Sequence, residues 1–390
     1  MDKVVYIVHC VDTEGPLYES IEATFERINN IFGIWLEPSQ NLLRKLQNRE
    51  FPLSGQEEAI ANLVSPERLN NKDNWDKIDN TLDEITSEQF RNEFLDSFKN
   101  GWIYNWFCLD HIGFSGENPR RRDLGFHKIF DHYENYIQLH NIKQDRIFWH
   151  FHPVAIKKDA HRSGNTYVSS NELFKILARK IIDRSWFPAV FRPGYHMERP
   201  DSNWFLEQWI PFDFGNQAKK GNFTNQPDIE NRKLGDWRRA PNDWRIYHPD
   251  HDDYQKEGEC RRWIARCLNM EARHSEITID DIRDGFERVV SGKSTIISFT
   301  NHDFRDMKSE IIKIRNMIKI VSEEFSNVKF KYSNALEAMR GVIRNFDLER
   351  PEFSLNVEER NKISIINIKS KNEIFGSQPF FALKTRDNHY

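Results

Sequence analysis

Short apolar runs and amphipathic segments alternate along much of the chain. Runs rich in β-branched and aromatic residues predict buried strands, and they occur at 3–11, 102–109, 146–152, 189–191, 295–299 and 328–332. Apolar residues spaced three or four apart predict helices after several of these runs, at 278–290, 304–325, 333–344 and behind a capping box at Ser169–Glu172. This alternation is typical of an α/β fold whose parallel sheet is covered by helices and is either open or closed into a barrel.

Three segments depart from the alternation. Residues 17–100 are charged and mostly helical in pattern, with a helix cap at Thr86–Gln89, so we expect a helical insertion after the first strand. Residues 215–258 are polar and rich in Asn, Asp, Trp and Pro, which predicts a long functional loop or lid. From about residue 351 the pattern becomes that of antiparallel strands, at 353–357, 363–368 and 380–383.

These boundaries predict a main unit at 1–345 and a small β-rich appendage at 351–390. The chain stops soon after a strand-like segment, so the appendage could be incomplete. An oligomer could form through it.

Composition narrows the class of protein. The 390 residues carry 56 Lys plus Arg against 60 Asp plus Glu, a net charge of −4 that argues against a nucleic-acid binder led by charge. The 29 Phe, 11 Trp and 11 Tyr are enough for large aromatic cores. No apolar run approaches the roughly 18 residues that a membrane span needs. The strand-like start and the absence of a CxxC pair predict a cytoplasmic protein with reduced thiols at Cys10, Cys108, Cys260 and Cys267.

Polar clusters follow the predicted strands. In a parallel α/β sheet, functional side chains gather at the carboxyl ends of the strands. Five clusters lie at such ends: Asp12-x-Glu14, Asp110-His111, His150-x-His152, Arg192-Pro-Gly-Tyr195 and Asn301-His302-Asp303. Their coincidence points to a site more strongly than any one of them.

Two of the clusters have the chemistry of a metal centre. Asp12 and Glu14 are two residues apart and share a face if the strand geometry persists, and so do His150 and His152. Two imidazoles and a carboxylate with open positions are typical of a catalytic metal rather than a structural one. One acid could then bind the metal while the other takes a proton from water.

Simpler explanations exist for each cluster taken alone. Either His150 or His152 could be an imidazole packed in the core, and the residues from Asp12 to Pro16 could simply form a turn. Arg192 could be part of a structural ion pair, and His302 could be only solvated. Asp110 and His111 are weaker candidates for substrate contact. His9 lies on the opposite face by strand parity and is expected to be packed.

Two loop features could contact a substrate. Arg120, Arg121 and Arg122 could be a solvated face or an anion site. Trp237, Trp244 and Tyr247 could stack on sugar faces or could pin their loop to the domain.

The order of these motifs resembles the polysaccharide deacetylases of carbohydrate esterase family four, the NodB-homology fold. The matching segments are Val11–Pro16, Asn105–Phe107, His150–Pro153, Phe191–Tyr195 and Ser298–His302, and the resemblance covers roughly 1–12 and 100–344. Two departures are clear: Glu14 stands where that family has Asp, and His-x-His-Pro replaces the wider histidine spacing, as in an outlying branch. The resemblance implies a distorted (β/α) barrel, with the helical insertion and the C-terminal β appendage as additions.

The resemblance also implies roles for individual residues. Glu14, His150 and His152 would hold a divalent ion, most simply Zn²⁺. Asp12 would be the general base, oriented by Arg192, and a backbone N–H near Tyr195 would help to stabilise the oxyanion. His302 would protonate the leaving amine.

We therefore predict a metal-dependent hydrolase that removes an N-acetyl or related acyl group from a saccharide. A surface-polysaccharide precursor would be one such substrate. The alternatives are a glycoside hydrolase on a related barrel and a catalytically inactive carbohydrate-binding protein.

Overall fold

A ring of parallel strands forms the centre of the protein. The computed structural model describes residues 4–111, 127–153, 162, 166–221, 234–272, 275–344 and 351–390. The strands of the central sheet are β1 (Val4–Thr13), β2 (Tyr104–His111), β3 (Arg146–His152), β4 (Val190–Pro193), β5 (Phe212–Asn216), β6 (Trp263–Arg266), β7 (Leu268–Asn269), β8 (Thr295–His302) and β9 (Lys329–Tyr332). Their order is β6-β5-β4-β3-β2-β1-β8-β7, with β9 beside β1.

The segment 263–269 nearly closes the ring. Its first part, β6, pairs with β5, whereas β7, one residue further on, pairs with β8. All of these pairings are parallel, so the described chain forms a near-closed α/β barrel. The alternation of strands and helices predicted a parallel α/β sheet, open or closed, and the closed form is the one that the resemblance implied.

Strand β1 has partners along both edges. It pairs with β8 from Val5 to Asp12, while its other edge pairs first with β9 and then with β2. The residues of β1 are almost all buried, which explains why the sequence there is a continuous apolar run rather than an alternating one.

Helices surround the ring. Their bounds are α1 (Ile21–Phe32), α2 (Gln40–Gln47), α3 (Glu57–Leu63), α4 (Pro66–Leu69), α5 (Trp75–Thr86), α6 (Glu88–Asn92), α7 (Lys128–Leu139), α8 (Asn171–Arg184), α9 (Pro200–Trp209), α10 (Ile279–Val290), α11 (Met307–Glu324) and α12 (Ala335–Ile343). Among the described residues, no helix combines the length and apolar character needed to cross a membrane.

Residues 17–100 are largely helical, as predicted, but they pack in two ways. Helices α1 to α3 enclose a small core of their own, which includes Phe25, Ile28 and Leu46. Helices α5 and α6 instead add Ile78, Leu82, Ile85 and Phe90 to the main core of the barrel.

Some local predictions were wrong. The capping residue of α8 is Ser170, whose hydroxyl accepts from the Leu173 N–H, rather than Ser169. Residues 380–383 do not form a strand; instead the Phe380 ring packs against Phe174, Phe187 and Trp209. The C-terminal hairpin therefore has two strands, β10 (Phe353–Arg360) and β11 (Ile363–Ser370).

Candidate metal centre

Four of the five predicted clusters meet at the carboxyl ends of the barrel strands. The parallel register places Asp12 beside His302 and His150 beside Arg192. Asp12, His150 and His302 line a cavity of about 450 Å³ that is open to solvent and is also lined by Glu14, His152 and Tyr195. The sequence argument from strand ends therefore located the cavity.

Glu14 lies among three imidazoles. Its Oε1 atom is 3.9 Å from His150 Nε2, 3.6 Å from His152 Nε2 and 3.6 Å from His302 Nε2. The Nε2 atoms of His150 and His152 are 2.9 Å apart. Glu14, His150 and His152 are all buried and form a group that could hold a metal ion.

The separations fit a small divalent cation. Ligand atoms about 2.1 Å from a tetrahedral ion lie about 3.4 Å from one another, and the distances within the group lie on either side of that value. The orientation of His150 fits as well. Its Nδ1 donates to the Arg192 carbonyl at 3.0 Å, which leaves the Nε2 lone pair facing Glu14 and His152.

Asp12 lies under this group and forms a bidentate ion pair. Arg192 Nε and Nη2 donate to its two carboxylate oxygens at 2.7 and 2.9 Å, and Thr300 Oγ1 donates at 3.3 Å. Burial opposes ionisation of Asp12, but Arg192, and after it His150, outweigh burial and hold the pKa of Asp12 far below its ordinary value. The carboxylate is therefore ionised and fixed in orientation 3.9 Å from His150 Nδ1.

Asp303 fixes the backbone that carries Glu14. Its two carboxylate oxygens accept from the Glu14 and Gly15 N–H groups at 3.0 and 2.9 Å, and the Tyr133 hydroxyl donates to it at 2.9 Å. The sequence placed Asp303 in a polar cluster but indicated no role for it. Only the folded chain shows that the end of β8 holds the end of β1.

A strained turn follows β4 on the other side of the cavity. Tyr195 and His196 both have positive φ, 55° and 51°, a conformation that costs energy in residues other than glycine and is concentrated at functional sites. The turn places the Tyr195 ring 4.5 Å from the His152 ring, between their centroids, and leaves Tyr195 38 % exposed at the cavity. His302, on the opposite side, is also partly exposed.

Asp110 does not reach the cavity. It lies on the other face of β2, where Lys180 Nζ is 3.0 Å away, His127 Nδ1 is 3.2 Å away and Trp149 Nε1 donates at 2.9 Å. The proposed substrate contact at Asp110 is therefore corrected to a buried ion pair. The side chain of His111 and residues 120–122 lie outside what the structure describes.

The three loop aromatics are buried instead of facing a sugar. Trp237, Trp244 and Tyr247 are each at most 3 % exposed. Trp237 donates to the His196 carbonyl, Trp244 to the Asp281 carbonyl and Tyr247 to the Tyr254 carbonyl. The bonds of Trp237 and Trp244 attach the loop to residues outside it, whereas the bond of Tyr247 lies within the loop.

His9 is packed, as its strand parity predicted, and it connects the core to the cavity. Trp102 Nε1 donates to His9 Nδ1, and His9 Nε2 donates to Asn301 Oδ1, both at 2.9 Å. Asn301 Nδ2 in turn donates to Glu310 at 2.7 Å. Burial lowers the pKa of His9 to about 3 and raises the pKa of Glu310 to about 7.

A second group with metal-ligand chemistry lies elsewhere. It consists of Glu207, His251 and Cys260. It contains a thiol, which the Glu14 group lacks, so the two can be told apart by spectroscopy.

Comparisons with known proteins define the relationship only weakly. No family model matches the chain, and no curated protein matches it. Among solved structures, the chain is similar to a protein from Parabacteroides distasonis that is provisionally described as a glycoside hydrolase/deacetylase. The identity is 9 % and the TM-score 0.39, over 95 % of this chain and 80 % of the other.

Proposed function

We propose that the protein is a metal-dependent hydrolase that removes an N-acetyl group from a saccharide. The observation that carries this proposal is the meeting of Glu14, His150 and His152 beside the Asp12–Arg192 pair, in an open cavity at the carboxyl ends of the strands. Under this proposal, each of these residues would have the role that the resemblance to the polysaccharide deacetylases implies.

Glu14, His150 and His152 would hold the cation. Carboxylate oxygen and imidazole nitrogen are donors that Zn²⁺ accepts, and three protein ligands leave a position open for water or substrate. A bound divalent ion would supply Lewis acidity, which makes water more acidic and polarises an acyl oxygen.

The remaining side chains would handle protons and orientation. Asp12 would accept the proton of the attacking water as the oxygen bonds to the acetamide carbon, with Arg192 holding the carboxylate in place. His302, across the cavity from Tyr195, would donate a proton to the amine nitrogen as the C–N bond breaks. The products would be acetate and an amino sugar.

Two features favour this proposal over a glycoside hydrolase. Hydrolysis of a glycosidic bond needs a carboxylic acid with a raised pKa facing a second carboxylate. Asp12 has a lowered pKa and is locked to Arg192, and Glu14 lies within 4 Å of three imidazoles. A binding protein that lacks turnover remains the outcome to be tested.

The test measures metal content and acetate release together. We expect protein reconstituted with Zn²⁺ or Co²⁺ to release acetate from N-acetylated saccharides. Asp12→Asn should abolish release but keep the metal, whereas His150→Ala should lose both. The matched control is His140→Ala, at an exposed histidine directly after α7, which should change neither.

The proposal is wrong if the metal-loaded wild-type protein releases no acetate from any of a panel of N-acetylated sugars. Bound sugar without turnover would then favour the carbohydrate-binding alternative. Because Asp12 is buried with Arg192, the folding of Asp12→Asn is checked by circular dichroism before its activity is interpreted.

A further inference from the structure

The helical insertion forms one wall of the cavity. Leu17, Glu19, Arg27, Arg68 and Asn71 line it from the insertion, and Arg305 lines it from the loop after β8. Three guanidinium groups therefore face the same space as the metal-ligand group.

The insertion is tied to that loop by its backbone. Lys72 N–H donates to the Phe304 carbonyl at 2.9 Å, and Leu17 N–H donates to the Lys72 carbonyl at 2.8 Å. The Lys72 ammonium also donates to the Arg305 carbonyl. The segment that carries Arg68 is therefore hydrogen-bonded, through Lys72, to the loop that carries Arg305.

The positive charge of this wall is only partly balanced. Arg27 Nε pairs with Glu19 at 2.9 Å. Arg305 Nε is buried and has no hydrogen-bond partner among the described residues. Two other acids lie on this side of the cavity. Glu310 is largely protonated below neutral pH, because burial raises its pKa to about 7. The side chain of Glu271 is exposed to solvent.

The arginines are also close enough to repel each other. Burial lowers the pKa of Arg305; Glu310 opposes that effect, and the Arg68 and Arg27 guanidiniums add to it. Partly buried cations that lie close together repel each other, and an anionic ligand between Arg68 and Arg305 would replace that repulsion by attraction. Arg is the side chain best suited to bind a carboxylate or phosphate in two-point contact.

We infer that the substrate carries an anionic group, a carboxylate or a phosphate ester, which Arg68 and Arg305 bind while the acylated nitrogen lies at the Glu14 end of the cavity. This inference rests on the proposed function, because it assigns the substrate class of the same site. It also gives the helical insertion a role, that of selecting acidic saccharides.

The first experiment compares matched substrates. Wild-type kcat/KM for acetate release should be at least tenfold higher for an N-acetylated uronic acid glycoside, or for an N-acetylhexosamine phosphate, than for the neutral N-acetylhexosamine. The two acidic substrates distinguish a carboxylate source from a phosphate source. Arg68→Gln and Arg305→Gln should bring the preferred ratio towards one, and Arg305→Lys should retain part of it.

Arg44→Gln is the matched control. Arg44 is an exposed arginine of the same insertion and does not line the cavity, so its substitution should leave the ratio unchanged. A wild-type enzyme that hydrolyses neutral and acidic substrates equally well would overturn the inference while leaving the proposed function intact.

The second experiment does not depend on turnover. Titration calorimetry with glucuronate and with inorganic phosphate is done on the double variant His150→Ala/His152→Ala, so that a metal cannot be the anion's partner. Binding should be detected for at least one anion, and it should weaken at least tenfold when Arg305→Gln is added.

This result would stand even if no N-acetylated sugar were hydrolysed, in which case the proposed function fails and the anion site remains. If neither anion binds, or if Arg305→Gln changes nothing, the inference is wrong.

Discussion

Gly194 is required by the imidazole packed against it. A Cβ atom at this position would lie 2.3 Å from His152 Cδ2 and 2.8 Å from His152 Cα, so rotation of the side chain alone could not relieve the clash. Gly194→Ala should therefore displace His152 and lower metal affinity by about ten- to a hundredfold, the range found when the support of a ligand is lost. Competition with a chelator measures this directly.

Gly285→Ala is the control for overpacking in general. Its Cβ would meet the Ile297 side chain at 2.4 Å, in the core of the barrel. It should cost about 1–3 kcal/mol of stability without changing the metal affinity of the folded protein. Equal affinities for both variants and the wild type would contradict the role given to Gly194.

Glu310 should make stability depend on pH. Because burial raises its pKa from 4.5 to about 7, the folded protein holds a proton that the unfolded chain releases above pH 4.5. The free energy of unfolding should therefore fall by up to about 3 kcal/mol as the pH rises from about 4.5 through 7.

Urea unfolding at pH 5 and pH 8 tests this expectation. Glu310→Gln keeps the hydrogen bond with Asn301 within reach but cannot ionise, so its decrease in stability over this range should be smaller than that of the wild type. An identical pH dependence in both proteins would show that Glu310 is not the group responsible.

The convergence of Glu14, His150 and His152 beside Asp12 could be predicted, and the residues that support them could not. Asp12, Glu14, His150 and His152 are polar residues that interrupt or end apolar runs, which is a signal visible in one dimension. Asp303 supports Glu14 across 289 positions, and Gly194 supports His152 across 42. No local pattern records such distances.

At the scale of elements, a buried ion pair attaches the insertion to the barrel. Arg91 of α6 donates to both oxygens of Asp145 at 2.8 and 2.7 Å, and the Trp106 indole donates to the same carboxylate at 3.2 Å. Neither charged side chain is more than 4 % exposed.

Asp145→Asn should therefore destabilise the protein by about 3–5 kcal/mol, because it leaves the Arg91 charge buried without its anion. Asp131→Asn, which removes the partly exposed partner of Arg184, should cost less than about 1 kcal/mol. Urea unfolding of the three proteins gives both values. A loss at Asp145 no larger than that at Asp131 would show that the buried pair does not hold α6 in place.

Strands rich in aromatic and β-branched residues were found from the sequence, whereas two short strands that carry buried charges were not. β3 was predicted with its bounds because Arg146–His152 is aromatic and ends at a proline. β5 and β6 are short and contain Asp213 and Arg266, whose charges are buried by ion pairs with Arg262 and Asp281. Before the partners are known, such segments resemble loops.

At the scale of the whole molecule, the predicted parallel barrel was enough to locate the cavity but not to describe its other wall. Parallel strands must bring their carboxyl ends to one edge, which is why five clusters scattered over 290 residues could be read as one site and four of them do meet. Asp110 is the exception, because it alternates to the face opposite Leu109. The placement of Arg27 and Arg68 depends on how α1 and α4 pack, which periodicity does not encode.

The pairing of β1 has a consequence for how the protein is made. The strand that bears Asp12 is synthesised before all of its partners, because its edges are completed by residues 104–111, 295–302 and 329–332. Contacts this distant form slowly, so until β8 is synthesised one edge of β1 lacks its native neighbour, and an unpaired strand edge is prone to aggregation. A chain that ends before β8 would contain Glu14, His150 and His152 but would lack the neighbour that covers one whole edge of β1.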